Sequence, residues 1–167
     1  MKKTLLAALL VLLMGFALAE STSFSFRSGA QWGMSSAEVL ALEGADHYEA
    51  RRENGLDVVV LACVTHLDAP CDIHYLFFKD SLCMLRVVYD AGSGGVSVEG
   101  LLEKLSARYG KATPLSPGQL KELLLSDTTP DAFYGWVLTD ETLICLAEYP
   151  SKGTIEITCS DLIDSEG

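Results

Sequence analysis

The stretch IHYLFFKDSLCMLRVVYD, residues 73–90, decides the fold because it contains two apolar β-strand candidates joined by a polar turn. Both runs are rich in aromatic, β-branched and other large apolar residues, and Asp80 and Ser81 interrupt them. Such a pattern is typical of an antiparallel hairpin. With Asp80 and Ser81 as a two-residue turn, Phe78 lies opposite Cys83, and this register sets the side of the sheet on which each side chain lies.

The register divides the side chains of the hairpin between two faces, because successive residues of a strand point to opposite sides. Arg86 would cost several kcal/mol to bury unpaired, so its face is predicted to be the exposed one. Aromatic residues beside Arg and Met match the composition enriched at interface cores. The predicted core face carries Leu76, Phe78, Cys83, Leu85 and Val87. The predicted binding surface carries Tyr75, Phe77, Met84 and Arg86, joined by Trp136 from a later strand. The alternative, in which helices cover this face and Arg86 pairs with a carboxylate, stays open.

Turn signals upstream extend the hairpin into a meander. Asn54 and Gly55 form the strongest two-residue hairpin signal, and they place Arg52 opposite Asp57 as a cross-strand ion pair. The sequence LDAPCD predicts a further turn. Residues 46–90 are therefore predicted to form four antiparallel strands.

A capping box opens the segment WGMSSAEVLALEG, residues 32–44, and predicts a helix there. Ser35 and Glu38 are its two members, and Gly44 is suited to a left-handed C-cap. Every notable residue of the segment has a role in folding, which favours a scaffold over a site. The alternative is that Trp32 is exposed and binds a ligand.

The second half of the chain repeats the change from helix to strands. Apolar residues recur at helical spacing from Val98 to Tyr109, and Ser116 with Pro117 suits the start of a shorter helix. Three more strands are predicted at residues 132–139, 142–149 and 153–160. The predicted fold is α+β: an antiparallel sheet of about seven strands with two to three helices packed on one face, in helix-then-meander order.

The first nineteen residues have the form of a secretory signal, with two Lys, an apolar run and a small-residue site ending at Ala19. We expect cleavage before Glu20, which leaves residues 20–167 as a single exported domain, secreted or held in the periplasm or cell envelope. Because Glu20 is not Cys, no lipid anchor is expected, and no later run approaches the roughly 20 apolar residues that span a bilayer. The net charge of −11 repels nucleic acid and anionic lipid and mainly confers solubility, and it is compatible with a basic or neutral partner such as a protein.

The chain has five cysteines, and an odd number in an exported protein leaves at least one thiol free or paired with another molecule. One strand separates Cys63 from Cys83 in the predicted meander. Two strand spacings are about 9.5 Å, and a disulfide tolerates a Cα separation of at most about 7 Å, so these two should stay unlinked. Cys145 and Cys159 lie on neighbouring predicted strands. Two alternatives remain for this pair: a disulfide between them, or two buried free thiols.

A C-x-x-H spacing occurs twice, from Cys63 to His66 and from Cys71 to His74, and raises the question of zinc. Residues i and i+3 of a regular strand point to opposite faces, which favours ordinary strand side chains over metal ligands. The connector AGSGG matches neither the phosphate-loop nor the dinucleotide pattern, and all three His precede Ser93, against the hydrolase order. No catalytic residue, metal ligand or cofactor site is therefore predicted.

The WGMSSAEVLALEG segment followed by a hairpin resembles the helix-then-hairpin unit of small exported modules related to the outer-membrane assembly lipoprotein SmpA/OmlA and the β-lactamase inhibitory proteins. It also resembles exported bacterial domains with the same WGMS opening. The resemblance implies a binder rather than a catalyst. We expect an exported binding or inhibitory module that recognises a protein with a sheet face. The alternatives are an enzyme with an unrecognised Cys/His site and a structural protein of the envelope.

Overall fold

The computed structural model describes residue 24 and residues 26–92, 95–114 and 130–161, which form one antiparallel sheet of eight strands and two helices. The helices are α1 (Ser36–Glu43) and α2 (Val98–Tyr109). The strands are β1 (Glu49–Glu53), β2 (Leu56–His66), β3 (Ala69–Phe78), β4 (Ser81–Asp90), β5 (Thr113–Pro114), β6 (Ala132–Val137), β7 (Thr142–Tyr149) and β8 (Thr154–Asp161). The signal-like residues 1–19, the helix predicted from Ser116, and Ser93 lie outside the described residues.

The α+β class and the large antiparallel sheet are confirmed, with one strand more than expected. The additional strand is the two-residue β5 at one edge. The four strands predicted over residues 46–90 are β1 to β4, and the three predicted later match β6, β7 and β8 to within two residues. Across the sheet the order is β1-β2-β3-β4-β8-β7-β6-β5, so two meanders meet through the last strand of each.

Helix α1 begins and ends as its sequence predicts. The Ser35 side chain accepts from the Glu38 backbone N–H at 3.4 Å, and the Glu38 carboxylate accepts from the Ser35 N–H at 2.9 Å. Gly44 caps the helix with a φ of 60°. The first turn is also attached to the sheet, because both the backbone N–H and the hydroxyl of Ser36 donate to Asp80 Oδ1, at 2.9 and 2.8 Å.

The β3–β4 turn lies one residue earlier than the sequence analysis placed it. Lys79 and Asp80 are its central residues, with φ values of 50° and 60°, and Phe78 lies opposite Ser81. The predicted opposition of Phe78 and Cys83 is therefore wrong. The physical reason is the contact of Asp80 with α1, which holds this aspartate at the apex of the turn.

A bulge at Cys83 completes the change of register. It adds one residue to β4, so that Tyr75 lies opposite Leu85 and Leu76 lies opposite Met84. Leu85 is therefore buried in the core, as predicted, while the side chains of β3 exchange faces. The Cys83 thiol remains local and donates to the Leu76 carbonyl at 3.4 Å.

The main core lies on the sheet face to which both helices contribute buried side chains. From α1, Val39 belongs to this cluster, and from α2, Leu101 and Leu105 do so. One row of directly paired residues crosses six strands of the sheet, and all of its members are buried in the same cluster: Val59, Tyr75, Leu85, Cys159, Ile144 and Trp136.

Candidate binding surface

The sheet face opposite the main core, which we call the outer face, consists of the side chains that alternate with the core residues along each strand. Two neighbouring rows of paired residues define it. The first contains Arg51, Val58, Leu76, Met84, Ser160 and Leu143. The second contains Glu49, Val60, His74, Arg86, Thr158 and Cys145.

The outer face has two apolar clusters separated by a polar strand. The first cluster lies on β2 and β3, where Val58, Val60 and Leu76 are buried and Leu56 and Met84 pack against them. The second lies on β6 and β7 and contains Phe133, Leu143, Cys145, Ala147 and Tyr149. Between them, β8 presents only polar side chains to this face: Thr154, Glu156, Thr158 and Ser160.

An ion-pair chain crosses the first cluster and shows that the sheet is curled. Arg86 Nη2 on β4 lies 3.5 Å from Glu53 Oε1 on β1, and Arg51 bridges Glu53 at 3.6 Å and Glu49 at 3.3 Å. Two strands lie between β1 and β4, and three strand spacings are about 14 Å. Glu53 also lies four residues along β1 from Glu49, which shares the row of Arg86. In a flat sheet these side chains could not meet, so β1 curls over the outer face.

The structure separates the five residues predicted to form the binding surface. Arg86 and Met84 lie on the outer face, and the Arg86 side chain is 24% exposed. Tyr75, Phe77 and Trp136 are only 0%, 1% and 3% exposed and belong to the main core, so their prediction as surface residues is wrong. For Tyr75 and Phe77 the reason is the turn position and the bulge.

Trp136 is held in the core by a specific contact as well as by packing. Its indole N–H donates to the Gly110 carbonyl at 2.9 Å, just beyond the end of α2. The sequence does not indicate the side of the strand on which Trp136 lies, because residues 132–137 show alternation but no signal for the covered face.

Sequence reasoning missed His74, Val58 and Leu76 as members of the outer face. The available signal was the run VVVL at residues 58–61, which is apolar at every position and therefore predicts burial on both sides of β2. A strand of that kind indicates a second apolar surface beside the core. The imidazole of His74 faces Arg86 directly across the β3–β4 pair.

The titration of His74 on this surface is perturbed by its surroundings. Burial lowers its pKa, and the neighbouring charges of Arg86 and Arg51 lower it further, against the smaller opposing effects of Asp72 and Glu53. Its Nδ1 atom is buried and makes no hydrogen bond. At neutral pH the outer face therefore presents a neutral imidazole beside a guanidinium.

None of the five cysteines forms a disulfide. Strand β3 lies between Cys63 on β2 and Cys83 on β4, as predicted, and these two residues are not linked to each other. Cys145 lies on the outer face and Cys159 in the main core, so a bridge between them would have to pass through the sheet. Burial raises the pKa of Cys145 to about 12 and that of Cys71 to about 11, which keeps both thiols protonated and poorly nucleophilic at neutral pH.

The two C-x-x-H pairs do not converge. Cys71 lies in the main core and His74 on the outer face, while Cys63 occupies a bulge of β2 with a φ of 55°. Within the described residues, no group of three or more His, Cys, Asp or Glu side chains is placed to hold a metal ion.

Protein-family models, curated protein sequences and solved structures were compared with the chain. None of them matches. Within the described ranges, no helix is long and apolar enough to cross a membrane. Any functional proposal for the chain therefore depends on its own sequence and geometry.

Proposed function

We propose that the chain is an exported, non-catalytic binding module that recognises a protein with the outer face of its sheet, around Arg86 and Met84. The observation that carries the proposal is the outer face around Arg86, whose side chain is 24% exposed and lies one row from the buried apolar side chains of Val58 and Leu76. Arg and Met beside apolar side chains are enriched at the centres of protein interfaces.

The proposal gives the two faces of the sheet different roles. In the proposal the helices cover one face in helix-then-meander order, and the other face is left for the partner. The presence of Val39, Leu101 and Leu105 in the main core favours that arrangement. So does the resemblance of the WGMS segment to exported binding modules.

The state of the thiols favours binding over catalysis. A cysteine nucleophile needs a lowered pKa, whereas burial raises the pKa of Cys71 and Cys145. Export accords with the signal-like first nineteen residues and with the net charge of −11, which favours solubility.

The test is capture of a partner by the chain purified after export, immobilised and exposed to the medium and envelope fraction of its own source. Arg86→Ala and Met84→Ala should each weaken binding by about 2 kcal/mol, or roughly thirtyfold, if these residues are hot spots. Phe78→Ala is the matched control, because Phe78 is 48% exposed but lies at the turn and outside the apolar cluster. Thermal unfolding of each variant shows that the fold is kept. A partner retained equally by all three variants would refute the outer-face site.

A further inference from the structure

Strand β1 forms one free edge of the sheet and is uncovered on both of its faces. In the described part of the chain its single neighbour is β2. Ala50 and Arg52 are exposed on the side of the main core, and Glu49 and Arg51 are exposed on the outer face. The buried residues of both faces begin one strand further in, on β2. A free edge of this kind is a template on which another strand can pair.

The backbone of β1 is free to pair, whereas the opposite edge of the described sheet is blunted. Strand β5 has two residues, and one of them is Pro114, which has no backbone N–H to donate. Strand β1 has five residues and no proline.

The hairpin of β1 and β2 fixes the direction in which the backbone groups of β1 point. Its loop has two residues, both with positive φ, at 50° and 86°, so the residues that flank the loop exchange hydrogen bonds. Such hydrogen-bonded positions alternate along an antiparallel strand. The N–H and C=O groups of Ala50 and Arg52 therefore point away from β2, to the free edge.

The charges of β1 favour one register for a symmetric antiparallel pair of two copies. In such a pair the central residue faces itself, because the two-fold axis passes between its two copies. The sequence of β1 is EARRE, so Ala50 is its only uncharged residue, and any other centre on β1 places two identical charges opposite each other. With Ala50 at the centre, Glu49 of each copy lies opposite Arg51 of the other. This register therefore joins the two strands through two pairs of opposite charge.

We propose that two copies of the chain form a symmetric dimer in which their β1 strands pair antiparallel around Ala50 and join the two sheets. The outward N–H and C=O groups of Ala50 then bond to those of Ala50 in the second copy. One residue beyond β1, Tyr48 is 51% exposed. The register places Tyr48 opposite Arg52 of the second copy, where a guanidinium packs against the ring. This contact lies at the sheet edge and does not depend on recognition of a partner around Arg86.

The charged side chains of β1 keep capacity for a second copy. Glu49 is 66% exposed, and its contact with Arg51 along the same strand is 3.3 Å long. Arg52 is 73% exposed, and its ion pair with Asp57 is 4.0 Å long. A carboxylate has about four acceptor sites and a guanidinium has five donors, so each group can add a partner across the edge without losing its internal one. The paired segment is short, so the dimer is expected to be weak and to depend on concentration.

The experiment is sedimentation velocity on the chain purified after export, over a concentration range from about 1 μM to 1 mM. We expect the sedimentation coefficient to rise from that of a monomer to that of a dimer. Glu49→Arg places Arg opposite Arg51 of the second copy and should weaken the dimer about tenfold or more, because two attractive pairs become repulsive. Glu103→Arg is the matched control, since Glu103 is exposed on α2 and the change in net charge is the same.

Exchange of the two charges tests the register itself. The double variant Glu49→Arg with Arg51→Glu keeps the net charge and restores opposite charges across the edge, so the dimer should return. Thermal unfolding at low concentration shows whether each variant keeps its fold. A monomer at every concentration overturns the proposal. So does a dimer that Glu49→Arg leaves unchanged, or a folded double variant that associates no better than Glu49→Arg alone.

A cross-link locates the centre of the pair. The Cα atoms of directly opposite, hydrogen-bonded residues are about 5.5 Å apart, which a disulfide can span, so Ala50→Cys should form a disulfide between two copies on mild oxidation. Arg52→Cys is the control, because four residues, or about 14 Å, separate position 52 from its own copy in this register. Mass mapping identifies the linked peptides. Equal linkage in the two variants overturns the register, whether or not the outer face binds a protein.

Discussion

The apolar residues are arranged differently on the two faces of the sheet. On the face of the main core a single buried cluster spans the sheet and includes side chains of both helices. On the outer face two smaller apolar clusters are separated by the polar side chains of β8, and an ion-pair chain crosses one of them. Burial of a continuous apolar face supplies most of the stability, whereas partly exposed ion pairs contribute about 0–1 kcal/mol each. The difference indicates that the first face holds the fold, and it favours the proposal that the second recognises a partner.

The largest test of this comparison is truncation of two adjacent phenylalanines on β3. Phe77→Ala should lower the free energy of unfolding by about 3–5 kcal/mol, because the side chain is 1% exposed and its loss leaves a cavity. Phe78→Ala should change it by no more than about 0.5 kcal/mol, because that ring is 48% exposed. Chemical denaturation of the two variants measures both values. Equal losses, or a larger loss at Phe78, would mean that the originally predicted register is the correct one.

A smaller loss of stability is expected on removal of the ion pair between Arg27 and Glu43, the last residue of α1. Arg27→Met leaves the Glu43 carboxylate buried without its guanidinium, and we expect a loss of about 2 kcal/mol, less than for a fully buried pair because Arg27 is 32% exposed. Arg52→Met is the control on the exposed edge, where the pair with Asp57 is 4.0 Å long and should contribute almost nothing. Denaturation curves at low and high salt separate the two cases. A salt-sensitive loss of similar size in both variants would remove the distinction between the partly buried and the exposed ion pair.

The smallest expected effect is a pH dependence shared by one histidine on each side of the sheet. Burial lowers the pKa of His66 and of His74, so the unfolded chain takes up more protons as the pH falls through their ordinary value of 6.5. The free energy of unfolding should therefore be lower at pH 5.5 than at pH 7.5. Glu38 and Asp80, whose pKa values are lowered by hydrogen bonds from Ser35 and Ser36, lose their contribution only at more acidic pH.

Two variants divide this pH dependence between the faces. His74→Gln should remove the part of the pH dependence that arises on the outer face. His66→Gln should remove the part that arises on the side of the main core. Denaturation midpoints measured across the pH range report each contribution. A profile that keeps its full slope in both buried-histidine variants would contradict the assigned cause.

Local signals in the sequence predicted a large part of the fold. The capping box of Ser35 and Glu38, the hairpin at Asn54, and the pairing of Arg52 with Asp57 are all present as expected. Each depends on residues a few positions apart, so propensity and hydrogen-bonding chemistry suffice to specify it. Two of the five residues predicted for the binding surface, Met84 and Arg86, also lie on the outer face.

The errors arose where distant contacts set the register. The Lys79-Asp80 turn has no Gly or Asn at its positive-φ positions, so its sequence carries no local sign of its place. Its position follows from Ser36, which donates to Asp80, and from residues 33 and 34, whose backbone groups exchange hydrogen bonds with Leu82. These contacts join parts of the chain that are more than forty residues apart. A one-residue shift then exchanges the two faces of β3.

The sequence by itself therefore determined the strands, the helix caps and the alternation of side chains, because these depend on neighbouring residues. Only the tertiary structure decided which alternate residues are covered, since α1, the segment before it and the bulge at Cys83 together set the register. It also decided the curl that brings Glu53 to Arg86. Those groups come from separate strands, and no spacing along the chain records their proximity in space.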